Sequence, residues 1–223
     1  MVGELYTLPP LPEYDTKSLY PNEKALSSSQ FALYEEDPQA FFLKYMLGAK
    51  GEPSQAMSIG RIFSAAYADR TLPFKPYLEE AGCSPKFINL FAEALAKFPV
   101  IKGGRPEHEI WVSYRGWKFR ATLDCYVDWC FMDVENKTGK MPWTQERTNF
   151  SEQITFQAWT HWLKHKVPFR SITLNWWNTG IVSHVAIQSF KTSRSITALR
   201  AFQARVDVVI DNLEAHNFTN PIY

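Results

Sequence analysis

Residues Glu109–Lys140 read EIWVSYRGWKFRATLDCYVDWCFMDVENKTGK. β-Branched and aromatic residues fill this stretch, and turn positions interrupt it at Arg115-Gly116 and near Val127-Asp128. That pattern predicts a three-stranded antiparallel meander. In its last strand, FMDVENK, residues Phe131, Asp133, Glu135 and Lys137 point one way and Met132, Val134 and Asn136 the other. Asp124 closes the otherwise apolar middle strand FRATLDCYV, where a hairpin can set its carboxylate beside Glu135.

Two carboxylates on neighbouring strands, with a lysine two residues further on, make a chemically purposeful set. Hard oxygen ligands suit Mg²⁺ or Mn²⁺, whose coordination is completed by waters and phosphate oxygens. Such an ion positions and activates a water and screens phosphate charge. A neighbouring lysine orients that water or stabilises developing negative charge. A Glu-x-Lys triplet in a strand is also common as a pair of solvated charges. Here it lies mid-chain, at the edge of an apolar strand and directly before Thr138-Gly139.

Working outward, residues 1–25 carry Pro9, Pro10, Pro12 and Pro21 and are expected to form an extended arm. Ser27-Ser28-Ser29 offers helix caps before FALYEEDPQAFFLKYMLG, a helical pattern broken or kinked at Pro38. Helices are expected over about 57–69 and 85–98. After Gly139 comes a polar loop, then the helical stretch SEQITFQAWTHWLKHK, strands in PFRSITLNWWN and SHVAIQSFK, and a long amphipathic helix, ITALRAFQARVDVVIDNLEAHN. The order α-α-α-β-β-β-α-β-β-α predicts one α/β domain over residues 26–223, a central mixed β-sheet flanked by helices.

The chain of 223 residues has a net charge of only +1, which as an average argues against a nucleic-acid partner. The average hides an asymmetry. Nine basic and two acidic residues lie between Lys140 and Arg205, directly after the carboxylate strand. Arg147, Lys164, Lys166, Arg170, Lys191 and Arg194 read either as a phosphate-tracking groove or as a basic outer face. Trp143, in the polar loop after Lys137, reads as a ring that stacks on an unpaired base or as a hydrophobic anchor. His161 and His165 have a zinc-compatible spacing, but no Cys, Asp or Glu completes a set nearby, so they read as part of a solvated basic helix. Cys83, Cys125 and Cys130 sit in apolar segments and read as buried thiols of a reducing compartment. No secretory pattern opens the sequence and no apolar run reaches membrane-spanning length, so a cytoplasmic location without a membrane partner is expected. There is no P-loop and no Gly-x-Ser-x-Gly.

Asp124, followed by Glu135-Asn136-Lys137-Thr138-Gly139, resembles the signature of the PD-(D/E)XK nuclease superfamily, in its RecB-like exonuclease branch. Other segments are similar in the same order. LSSSQFALYEEDPQAFFLKYMLG resembles that branch's opening, and SIGRIFSAAY its Gly-x-x-x-His helix. Glu107 and Glu109 stand where an acidic residue precedes the meander, EQITFQAWTHWLKHKVP resembles the Gln-x-x-x-Tyr helix, and HNFTNP the closing segment.

The resemblance implies a restriction-endonuclease-like core and a divalent-metal-dependent deoxyribonuclease, an exonuclease acting on DNA ends in recombination, repair or DNA degradation. It implies Mg²⁺ or Mn²⁺ held by Asp124, Glu135 and the Asn136 carbonyl, with Lys137 as the catalytic lysine. Gln153 would line the site from the following helix, with Gln157 in the place of the family's Tyr. In an alternative register Gln157 is the motif glutamine and His161 its partner, and spacing to Val167-Pro168 favours Gln153. Substrate contacts fall to Gln157, Trp143, Arg147, Lys140, Lys164 and Lys166. The partners implied are DNA, a single-strand annealing protein and further copies of the chain, as in stand-alone phage-type enzymes of the host cytoplasm.

Two departures qualify this. Ser64 replaces the family's metal-binding His, which implies weaker metal binding. Asp37 stands before Pro38 where a cluster-ligating Cys would be, and no late cysteine follows, so no iron–sulfur cluster is expected. The rival reading is a catalytically silent DNA-binding or protein-interaction module on the same fold.

Overall fold

The computed structural model describes residues 26–49, 54–181, 183–215 and 217–218. The arm expected over residues 1–25 lies outside the described residues. Five strands, β1 (Arg105–Tyr114), β2 (Trp117–Val127), β3 (Met132–Gly139), β4 (Ser171–Asn178) and β5 (Ile187–Thr192), form one sheet in that order. β3 and β4 are parallel and all other neighbours antiparallel, so the sheet is mixed.

The meander forms as its turns dictate. Arg115 and Gly116 both have positive φ (49° and 80°), the backbone that a two-residue hairpin matched to strand twist requires. The second turn is a single 3₁₀ turn, Asp128–Cys130, closed by Phe131 at φ 49°. The last hairpin strand is shorter than its apolar pattern suggested and begins at Ile187 rather than Ser183.

Helices α1 (Ser28–Glu36) and α2 (Pro38–Phe41) are divided at Asp37, whose carboxylate accepts from Ala40 N at 2.9 Å while Pro38 fills the first helical position. A π turn, Phe42–Met46, continues α2. Then come α3 (Gln55–Ala68), α4 (Phe74–Glu80) and α5 (Pro85–Lys97) before the sheet, and α6 (Gln145–Asn149) and α7 (Glu152–His165) between β3 and β4, with α8 (Ile196–Glu214) last. The sequence pattern did not reveal α4 and α6. Both are short, and α6 is polar.

Two cores sandwich the sheet. One joins α1, α7 and α8 through Phe31, Phe156, Trp159, Phe202 and Val206. The other joins α3 and α5 through Phe63, Phe91 and Leu95. Trp176 and Trp177 point to opposite faces and both are buried, one in each core. Burying a large apolar side chain contributes about 1.5–3 kcal/mol, so these layers fix the sheet rigidly. Trp111, by contrast, remains exposed under the Arg120 guanidinium. Among the described residues no helix is long and apolar enough to cross a membrane.

Candidate active site

The sheet is forked. β1 pairs with β2, and β3 with β4, over most of their lengths, but β2 and β3 pair only from Cys125–Val134 to Val127–Met132. Beyond those pairs the two strands part, and Asp124 and Glu135 stand at the crotch. There the carboxylates replace the ladder. Asn136 N donates to Asp124 Oδ2 at 2.6 Å, and Asp124 N donates to Glu135 Oε1 at 3.4 Å. Each strand's first orphaned N–H is thus capped by the other strand's acid, which satisfies the backbone and fixes both side chains.

The edge of β2 that β3 leaves is taken further down by Leu26, which accepts from Arg120 N at 2.9 Å and donates to Lys118 O at 3.0 Å. This pins the Ser27-Ser28 start of α1 at the fork. A cleft of about 800 Å³ opens between the diverging strands, α1 and α3. Asp124, Lys137, Gln153 and Ser64 line it.

Glu135 is fully buried and four donors converge on it. Gln157 Nε2 at 2.8 Å and Asp124 N reach Oε1, while Gln153 Nε2 at 3.1 Å and Lys137 Nζ at 3.2 Å reach Oε2. Both glutamines of α7 therefore hold the same carboxylate, and the two registers left open by the sequence are both occupied. They differ in position. Gln153 lines the cleft, whereas Gln157 is 2 % exposed and also donates to Thr122 O at 3.0 Å. Gln157 is a brace behind the site and not a substrate contact.

The electrostatics are dominated by negative charge. Burial, and then the nearby Glu135, push Asp124 up to about 7. Asp133 is fully buried on the same strand face, without a hydrogen-bond partner among the described residues, and burial raises it well above the carboxylate range. Burial pulls Lys137 down, but Glu135 and Asp124 outweigh it and its pKa is raised, so its ammonium is held charged. Glu107 also lines the cleft, at the register position across from Asp124, with φ 47°. Burial and Glu135 raise it too.

No group of three or more His, Cys, Asp or Glu among the described residues is close enough to hold a metal ion alone. Asp124 and Glu135 do fit a hard divalent cation that keeps waters or phosphate oxygens, since they crowd like charge that such an ion would relieve. The Asn136 side chain turns to the other sheet face, where its Oδ1 accepts from Asn175, so only its carbonyl remains for the role the sequence suggested. Ser64 lies on the cleft wall formed by α3.

The basic tract does not assemble along this cleft. Lys164 and Lys166 lie at the far end of α7, roughly 17–20 Å from Gln153 at 1.5 Å per residue, outside the cleft itself. Arg194 is buried and donates to Thr155, Thr192 and the carbonyls of Thr148 and Ser151. Trp143 is half-buried, donates to Thr148 Oγ1 at 2.8 Å and carries the Arg147 guanidinium 4.0 Å above its ring. It anchors α6 rather than presenting a free ring. Lys140 lines a separate hollow beyond the end of β3. Besides Lys137, the cations that line the cleft are Arg61 and Arg120, which were not singled out by the sequence. Alternation placed Arg120 beside Thr122 and Asp124 on β2, and that was the available signal.

The histidines are also corrected. His161 is not solvated but fully buried, bonded to Tyr126 Oη and Val167 O, both at 3.1 Å.

No protein-family model matches the chain, and no curated protein matches it in sequence. Among solved structures, a protein from Eubacterium rectale named "Putative exonuclease" superposes with a TM-score of 0.61 at 10% identity, over 94% of this chain and 86% of that one. The two share a fold. The structure of SSO0001 matches at 12% identity with a TM-score of 0.38, covering 85% of this chain and 78% of that chain.

Proposed function

We propose that the protein is a divalent-metal-dependent deoxyribonuclease of the PD-(D/E)XK type, RecB-like branch, acting as an exonuclease on DNA ends. The observation that carries this reading is the meeting of Asp124, Glu135 and Lys137 at the open crotch of the sheet. The fold shared with the Eubacterium rectale protein, and that protein's name, agree with it.

Asp124 and Glu135 would hold Mg²⁺ or Mn²⁺, which supplies water activation and screening of the phosphate. Lys137 keeps its proton beside Glu135 and donates to the water or to a phosphate oxygen on which charge builds. Gln153 fixes the Glu135 carboxylate from the cleft side, and Gln157 fixes it from behind. Glu107 extends the acidic wall, while Arg61 and Arg120 face the same space and suit a phosphate backbone.

The test is hydrolysis of end-labelled linear DNA with Mg²⁺ or Mn²⁺. Lys137→Ala and Glu135→Ala should each lose on the order of 10³-fold in rate or more. Equal inertness of the wild type and both variants, across metals and substrates, would end the enzyme reading. Ser64 at the cleft wall then favours a silent nucleic-acid-binding module. If Ser64→His cleaves faster than wild type, the serine is a weakened metal-site position within a working enzyme.

A further inference from the structure

A second hollow of about 470 Å³ lies beyond the end of β3 and is not used by the chemistry above. Helix α3 forms the ridge between it and the cleft. Gly60 and Ser64 face the cleft, while Ala56 and Ile59 line the hollow. β3 crosses the same ridge, with Lys137 in the cleft and Thr138 to Lys140 in the hollow. The ridge is low where Gly60, without a side chain, passes near Thr138 Oγ1. The two spaces therefore adjoin along α3 and β3, lined by the consecutive residues Lys137 and Thr138.

The lining is mixed in a specific way. Ile59, Phe87 and Met141 give apolar walls, and Lys140 a cation at the same opening. Phe87 already stacks on the buried Trp177, with ring centroids 5.6 Å apart and planes 24° from parallel. A flat ring laid on Phe87 would extend that stack. Gln55 spends its Nε2 on the carbonyls of Ala81 and Gly82, which leaves its own carbonyl oxygen as an acceptor at the rim. Met141 is 73 % exposed at the rim of the hollow. An aliphatic peptide side chain would use the walls but not Lys140 or the aromatic face. A nucleobase with its phosphate uses all of them.

We propose that this hollow receives one unpaired nucleobase of the strand whose phosphate lies at Lys137, with Lys140 on the adjoining phosphate. The cleft would then act on unpaired DNA, single-stranded or frayed at an end. The proposal rests on the nuclease reading for the identity of the strand, but its test is a binding test.

Single-stranded oligonucleotides carrying one abasic position, walked inward from the end, would be titrated by fluorescence anisotropy with Ca²⁺ in place of Mg²⁺. One position should weaken binding by about 5- to 150-fold, the range of one stacked base, with little effect at its neighbours. Ala56→Trp fills the hollow from an exposed helix position and should weaken the intact oligonucleotide as much, while abolishing the position dependence. Met141→Ala, at a surface site that folding does not need, should weaken the intact oligonucleotide several-fold and the critical abasic one not at all.

Uniform affinity along the walk, persistence of the position dependence in Ala56→Trp, or no binding of single strands would overturn the proposal. Cleavage of intact and abasic strands at equal rates would remove the base pocket and leave the nuclease reading. Base-dependent binding without cleavage would do the reverse.

Discussion

The two ends of helix α7 bury polar groups against the same sheet with opposite results. At its N-terminal end, Gln153 and Gln157 reach an acidic fork in which Asp124, Asp133 and Glu135 crowd around one ammonium, Lys137. At its C-terminal end, His161 and His165 pack with His108, Tyr126, Phe131 and Phe169 in a cluster of rings. His161 stacks on Phe169 with centroids 3.9 Å apart and has a partner on each ring nitrogen. Burial drives the His161 imidazole down to about 3, so this end is neutral and closed. The fork keeps Glu135 against the Lys137 ammonium, holds Asp124 and Asp133 above the carboxylate range, and is open to a cleft. Burial alone therefore does not mark a functional site. What marks it is burial that crowds ionisable groups with perturbed pKa values beside space for a ligand.

The contrast predicts opposite responses to substitution. His161→Ala removes a fully buried side chain and strips Tyr126 Oη of its partner. It should cost about 2–4 kcal/mol, cavity and unsatisfied group together. Activity per folded molecule should be retained. Glu135→Gln should abolish activity while changing the urea midpoint far less, because it keeps the bulk and an acceptor oxygen and relieves repulsion on Asp124 and Asp133. Equal loss of stability in the two variants would break the distinction between the ends.

Gln157 tests the boundary between the regions, because it is buried like the histidines but serves the fork. Gln157→Leu conserves bulk and removes the bonds to Glu135 and Thr122. A loss of about 1–2 kcal/mol is expected, with a 10- to 100-fold fall in apparent metal affinity, as for other groups that orient a ligand. Gln157→Glu returns a side chain of the same shape but adds a fifth acid, and should be worse than leucine. Metal titration of the folded protein, followed by calorimetry, separates this from a purely structural role. A stability loss with unchanged metal affinity would assign Gln157 to packing.

Legibility followed the same divide. The meander, its first turn and the pairing of Asp124 with Glu135 could be read because they depend on alternation and a tight turn, which are local. The charge tract misled because adjacency in sequence is not adjacency in space. Fourteen residues of α7 carry Lys164 and Lys166 away from the fork, and Arg194 turns inward to cap carbonyls around Thr148. Arg61, Arg120 and Glu107 converge only because β2 and β3 separate after three pairs, with Leu26 filling part of the gap. No local pattern encodes that separation. The backbone N–H groups at the crotch are taken by carboxylates, and the sequence shows those only as two acids eleven positions apart.

The smallest effect is the one that separates the ends by pH. His161 titrates near 3 when folded and near 6.5 when unfolded, so between these values the unfolded chain binds more protons. Its stabilising contribution is complete above about 6.5 and is lost as pH falls. Asp124 has the opposite sign. Its folded value near 7 exceeds the unfolded value near 3.9, so its contribution is present at low pH and is lost as pH rises through 7. Over pH 4–6.5 the two groups therefore contribute slopes of opposite sign. His161→Phe removes one side of that balance. Between pH 7 and pH 5 the variant should gain about 1–2 kcal/mol relative to the wild type's own change, since one pKa unit is worth 1.36 kcal/mol and the cluster is partly relaxed by solvent. Urea unfolding of both proteins at pH 7, 6 and 5 measures the difference. Parallel curves would mean that the imidazole is protonated in the folded chain, and that the C-terminal end of α7 is not the closed, neutral counterpart of the fork.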